Sequence, residues 1–163
     1  MRRALAEPRS SPAGNPSPDW CTICTGECRR SAVQSTGVRV NELTAIAAGG
    51  AVGALLRYWV SGHVYTLFGR GFPYGTLAVN VIGSLVMGVL SVLLVERLST
   101  GPALRAFLLI GGLGAFTTFS TFSVETLNLM EAGHPGKALA NALVSVVVCV
   151  MAAGLGVLAG RNL

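Results

Sequence analysis

Charge is scarce in this chain, and so are the side chains that most chemistry requires. Only 12% of its 163 residues are charged while 52% are hydrophobic. That balance excludes an ordinary soluble domain and indicates one small membrane domain. Aromatic residues make up only 7%, so helices here must meet through small residues rather than bulky knobs. No Ser-His-Asp or Cys-His set, no Gly-Lys-Ser/Thr phosphate loop and no histidine pair at metal-ligand spacing occurs, which argues against an enzyme. Cys21, Cys24 and Cys28 stand as C-x2-C-x3-C, but a closed tetrahedral metal site needs a fourth ligand. The nearest histidine, His63, lies beyond the first apolar segment. The formal charge of +5 does not imply nucleic acid, because the basic residues sit between apolar segments or near the N-terminus and read as topology signals.

What the chain does have is glycine, 21 residues of it, and four apolar segments. Residues 1–38 carry Pro8, Pro12, Pro16, Pro18 and several serines without apolar periodicity, and are expected to be a disordered tail. A basic start is present, but no apolar run follows it as a signal peptide would require. Residues 39–163 then form a four-helix domain. Spans are predicted at about Leu43 to Gly62, Gly75 to Val95, Pro102 to Met130 and Lys137 to Ala159, the first matching a hydrocarbon core of roughly 30 Å and the others at least long enough to cross it. Gly49 and Gly53, four apart, form a close-packing face on the first. Thr76, Asn80 and Ser84 recur at steps of four on the second, and Asn141, Ser145 and Cys149 do so on the last, so each group projects along one side of its helix. A helix with one polar stripe must turn that stripe toward protein or a wet cavity.

The third span is organised differently. Its middle reads Gly111-Gly112-Leu113-Gly114-Ala115-Phe116-Thr117-Thr118-Phe119-Ser120-Thr121-Phe122-Ser123, with more glycine and hydroxyl than lipid contact or a plain core requires. Glycines followed by Thr-Thr invite a break in the helix, and irregular backbone at that depth is tolerated only where protein buries it or water reaches it. An ion pathway is the reading this favours; close packing of small residues is the bland alternative. Phe119 and Phe122, three apart, share a face once the helix resumes. Asn80 needs a partner in the bilayer, either a neighbouring helix or a passing anion. Neutral donors without fixed countercharge suit a small anion that must enter and leave quickly, and phenyl edges carry positive partial charge. Carbonyls opened at Gly114 to Thr117 would face a cation instead. Arg57, near the far end of the first span, either snorkels to the interface or draws anions to a pore mouth.

Across about residues 43 to 160 the chain resembles the small fluoride channels called Fluc or CrcB. The likeness rests on Gly49-Gly50-Ala51-Val52-Gly53-Ala54-Leu55-Leu56-Arg57-Tyr58, on Gly75-Thr76-Leu77-Ala78-Val79-Asn80 with Gly83-Ser84, and above all on Thr117-Thr118-Phe119-Ser120-Thr121-Phe122-Ser123. The resemblance implies an all-α membrane protein of four transmembrane helices, the third broken at mid-membrane, paired as an antiparallel dual-topology homodimer in the cell membrane. It implies passive fluoride export past Asn80, Phe119, Phe122, Thr121 and Ser145, with Arg57 in the vestibule. It also implies a structural sodium ion at the dimer interface, held by the backbone carbonyls of Gly114 and Thr117. Asn141 departs from the family, standing where an aromatic hydroxyl is sometimes found.

Charge bias bears on the pairing. Arg39, Arg97, Arg105 and Arg161 fall on one side of the membrane and Arg70 and Lys137 on the other; Arg29 and Arg30 add to the first side. A strong bias would fix the orientation, so a heterodimer with an oppositely oriented homologue is the second arrangement. The rival functions are a four-helix proton-coupled antiporter of cationic compounds, which needs a carboxylate deep in the first span where Glu42 is only at its edge, and a non-transporting scaffold.

Overall fold

The computed structural model describes residues 40–97 and 100–163. The expected tail, with Cys21, Cys24 and Cys28, lies outside them. Four helical rods run through the described residues, which contain no strand. The first is α1, Val40–Phe68. Helix α2, Tyr74–Ser91, continues into a π-helical stretch, π1, Val92–Arg97. The third rod is assembled from α3, Pro102–Arg105, a second π-helical stretch, π2, Ala106–Leu113, then α4, Gly114–Phe116, and α5, Phe119–Glu131. The last is α6, Pro135–Asn162.

All four rods are long and apolar enough to cross a membrane, at 29, 23, 30 and 28 residues. With a rise of 1.5 Å per residue they reach roughly 34 to 45 Å, beyond the hydrocarbon core and into the headgroup layers. They overrun the expected spans at most ends, and in α1 polar residues there bond back to their own helix. In α1 a His63 ring nitrogen lies 2.8 Å from Trp59 O, and Thr66 Oγ1 donates to His63 O at 2.7 Å, so the helix survives in the wet region past Gly62. Pro102 and Pro135 each stand in the first turn of a helix, where a missing N–H costs nothing. Gly133, at φ 76°, turns the chain from α5 into α6, while His134 N donates to Leu129 O at 2.9 Å.

Small residues determine which rods meet. A methyl group added to Gly49 or Gly53 would overlap the carbonyls of Phe107 and Gly112, and one on Gly111 would overlap Ile46 O. Helix α1 and π2 are therefore in backbone contact. The same holds between α2 and α6, where Gly88 faces Ala153 O and Gly156 faces Leu85 O. These two seams, first rod with third and second with fourth, are the most extensive in the fold. The outer surface stays apolar, with Leu55 70% and Val150 67% exposed, as lipid contact requires.

Candidate functional site

Two residues interrupt the helical backbone of the third rod. Thr117 (φ −81°, ψ 157°) and Thr118 (φ −151°, ψ 115°) are extended; Thr117 N still donates to Leu113 O at 3.0 Å, but the main-chain groups of Thr118 find their partner outside the rod. Asn80 of α2 supplies one pair: Thr118 N donates to Asn80 Oδ1 at 2.8 Å, and Asn80 Nδ2 donates to Thr118 O at 3.1 Å. The amide thus holds the main chain as a neighbouring strand would. Thr118 then starts α5 by accepting from Thr121 N at 3.2 Å through its hydroxyl. In a continuous helix Thr118 N would bond Gly114 O, and Thr121 N would bond Thr117 O. Both donors are diverted, so these two carbonyl oxygens lose their helical partners.

Beside this interruption lies a cavity of about 430 Å³, lined from α2 by Asn80, Gly83, Ser84 and Met87, from the third rod by Thr117, Thr118, Phe119 and Phe122, and from α6 by Ser145 and Cys149 among others. No charged side chain lines it. Gly83 leaves room for the Thr117 methyl, which a Cβ there would overlap. The Phe119 and Phe122 rings, both bordering the cavity, are tilted by 43° with centroids 5.4 Å apart, so they do not lie face to face. One N–H of the Asn80 amide is committed to Thr118; its second has no partner among the described residues.

The whole of this arrangement falls inside one recognisable unit. Residues 44–157 match the family model described as "CrcB-like protein, Camphor Resistance (CrcB)". The chain belongs to the CrcB family. Its relatives include a "Fluoride-specific ion channel FluC" of Magnetococcus marinus, 56% identical over 116 residues that cover 71% of this chain and 94% of the relative. A protein of the same name in Coxiella burnetii (strain Dugway) is 54% identical, over 68% of this chain and 90% of the relative. Another, in Citrifermentans bemidjiense, is 47% identical over 76% of this chain and the full length of the relative.

Within this CrcB chain, Asn80, Phe119, Phe122, Ser145 and Thr117 of the expected site meet around one cavity. Thr121 and Gly114 flank the interruption without lining that space, and the half-buried Arg57 on α1 does not line it either. Asn141 is 1% exposed and does not line the cavity. Its Nδ2 donates to Thr126 Oγ1 at 2.8 Å, Thr126 Oγ1 donates to Phe122 O at 2.7 Å, and Ser145 Oγ donates to Asn141 Oδ1 at 3.4 Å. Thr126 was missed by sequence reasoning, although it stands four residues after Phe122 and so within reach of its carbonyl.

A second polar group is built around Glu125 of α5. It is part-buried, accepts from Tyr65 Oη at 2.7 Å through Oε1, and has its buried Oε2 without a partner. Tyr65, Arg70, Glu125 and Asn128 border a second cavity of about 360 Å³. Only the fold reveals this pair, because Tyr65 and Glu125 come from different rods.

Proposed function

We propose that this CrcB chain is a fluoride-selective channel, a multi-pass protein of the cell membrane that lets fluoride leave passively. The observation that carries the reading is the uncharged cavity where Asn80, Ser145, Phe119 and Phe122 converge beside an interrupted helix. Its membership in a family whose relatives are named for fluoride supports the same conclusion. Fluoride entering such a space must exchange its water for something equally polar. The second Asn80 N–H and the phenyl edges supply it without a fixed cation that would trap the ion; the Ser145 hydroxyl joins them by turning from Asn141 Oδ1, and Thr121, beside the interruption, extends the polar track beyond the cavity. Arg57 draws anions toward the vestibule.

The finer architecture belongs to this proposal. The interruption at Thr117–Thr118 lies at mid-membrane, where irregular backbone needs cover. Phe119 is 77% exposed in the single chain, and a second copy, antiparallel in a dual-topology homodimer, provides that cover and completes the path. The carbonyls of Gly114 and Thr117, released from helical donors, have the chemistry for a hard monovalent cation. They would hold a structural sodium ion between the two copies, joining the subunits electrostatically. If tags at both termini report one fixed orientation in cells, the partner is an oppositely oriented homologue. Nothing favours the proton-coupled antiporter: the acidic residue of α1 is Glu42, in its first turn.

Purified chain reconstituted in liposomes tests the function. Vesicles loaded with fluoride should release it without a proton gradient; vesicles that retain fluoride despite correctly assembled protein refute the channel.

A further inference from the structure

A third polar space lies apart from the pathway, at the end of the bundle where the first and third rods begin. This cavity of about 340 Å³ is lined by Glu42, Ile46, Thr100, Pro102, Arg105, Ala106 and Ile110. Glu42 belongs to the first turn of α1 and Arg105 closes α3. Both are part-buried. The Nε atom of Arg105 is buried with no hydrogen-bond partner. Neither residue makes an ion pair with the other, or with any other described residue.

A guanidinium N–H removed from water and left unpaired is costly, and a carboxylate sharing its cavity without touching it is an odd neighbour. Had the pair been purely structural, one long side chain would reach the other. Two opposite charges held apart across one space match a ligand that itself carries both signs. The rods overrun the hydrocarbon core, which brings their first turns to headgroup depth. Ile46, Ala106 and Ile110 complete the lining with the apolar wall that a glycerol backbone and the first acyl carbons need.

We propose that this cavity binds the headgroup of phosphatidylethanolamine, the phosphate on Arg105 and the ammonium on Glu42. The phosphate accepts from the outer guanidinium N–H groups of Arg105 in charge-assisted bonds, since the Nε–H is itself closed off from anything that enters the cavity. The ammonium donates to the Glu42 carboxylate, which a phosphatidylcholine headgroup, equally zwitterionic, cannot do because its nitrogen carries no hydrogen. Phosphatidylglycerol offers the phosphate alone and leaves Glu42 facing an anionic lipid. The site lies outside the ion path, so it does not depend on which ion is carried.

Native mass spectrometry of the purified full chain, titrated with dioleoyl lipids, tests this. Retention should fall along the series phosphatidylethanolamine, its N-methyl and N,N-dimethyl forms, then phosphatidylcholine. The two ends should differ by at least about tenfold in affinity, the scale of one charge-assisted bond. Glu42→Gln should flatten the series, and Arg105→Gln should weaken all members together. Equal retention of phosphatidylethanolamine and phosphatidylcholine, or preference for phosphatidylglycerol, overturns the proposal. An unchanged series in Glu42→Gln does the same. Should Arg105→Gln fail to assemble, the methylation series on the unaltered chain still decides. Displacement of the lipid by soluble glycerophosphoethanolamine at equal concentration would show a free metabolite as the ligand and overturn the assignment to lipid.

Discussion

Replacing Asn80 by aspartate separates the two tasks assigned to its amide. The carboxylate keeps an acceptor for Thr118 N–H, now bonded at 2.8 Å, but loses the donor that reaches Thr118 O at 3.1 Å. An oxygen then faces an oxygen, at a cost of about 1–3 kcal/mol for the unsatisfied buried group. For the passing anion the penalty is larger. Two unit charges about 4 Å apart repel by about 4 kcal/mol at an effective dielectric constant near 20, which is roughly a thousandfold in occupancy. Asn80→Asp should therefore still assemble and yet pass almost no fluoride. Asn80→Leu abandons both bonds to Thr118 and should reduce assembly more than the aspartate does. Gel filtration reports assembly and a fluoride electrode reports efflux from liposomes. Flux within tenfold of the unaltered chain in Asn80→Asp would refute the assignment of this amide to the ion path.

Phe119→Ile or Phe122→Ile should abolish efflux without disrupting assembly, since an aliphatic side chain fills the space but offers no polarised edge; undiminished efflux would remove the rings from the path. Gly156→Ala should destabilise the fold by about 1–3 kcal/mol in detergent unfolding because its methyl group meets Leu85 O, while Gly50→Ala, with open space around it, should be neutral. Asn141→Leu and Thr126→Val should each loosen Phe122, and a double-mutant cycle should show coupling of about 0.6–1.7 kcal/mol, the range for hydrogen bonds between membrane helices. Exchange of sodium for N-methylglucamine throughout reconstitution should lower the assembled fraction, read by crosslinking, if the freed carbonyls hold that ion.

The four rods were legible because apolar length is a one-dimensional property, and so was the convergence of Asn80, Ser145, Phe119 and Phe122. Polar residues at steps of four in adjoining apolar segments have few places to go except toward each other. The Glu125 pair with Tyr65 and the Arg105 cavity were not legible, since each joins residues from rods that are distant in the chain and follow no shared period. The π-helical stretches Val92–Arg97 and Ala106–Leu113 left no signature either, because widening a turn by one residue changes no composition. Asn141 was read correctly as polar and inward, but its partner Thr126 could be found only once α5 and α6 were side by side.

The interleaved glycine seams constrain the order of events during synthesis. The first rod finds its closest backbone partner only when the third has entered the bilayer, and the second must wait for the fourth. Neither successive hairpin possesses a finished interface of its own, so a nascent chain halted after Ser91 would carry two glycine faces with nothing against them. The first–third seam can close as soon as the third helix is inserted, but the cavity is complete only when the fourth brings Ser145 and Cys149 against the second.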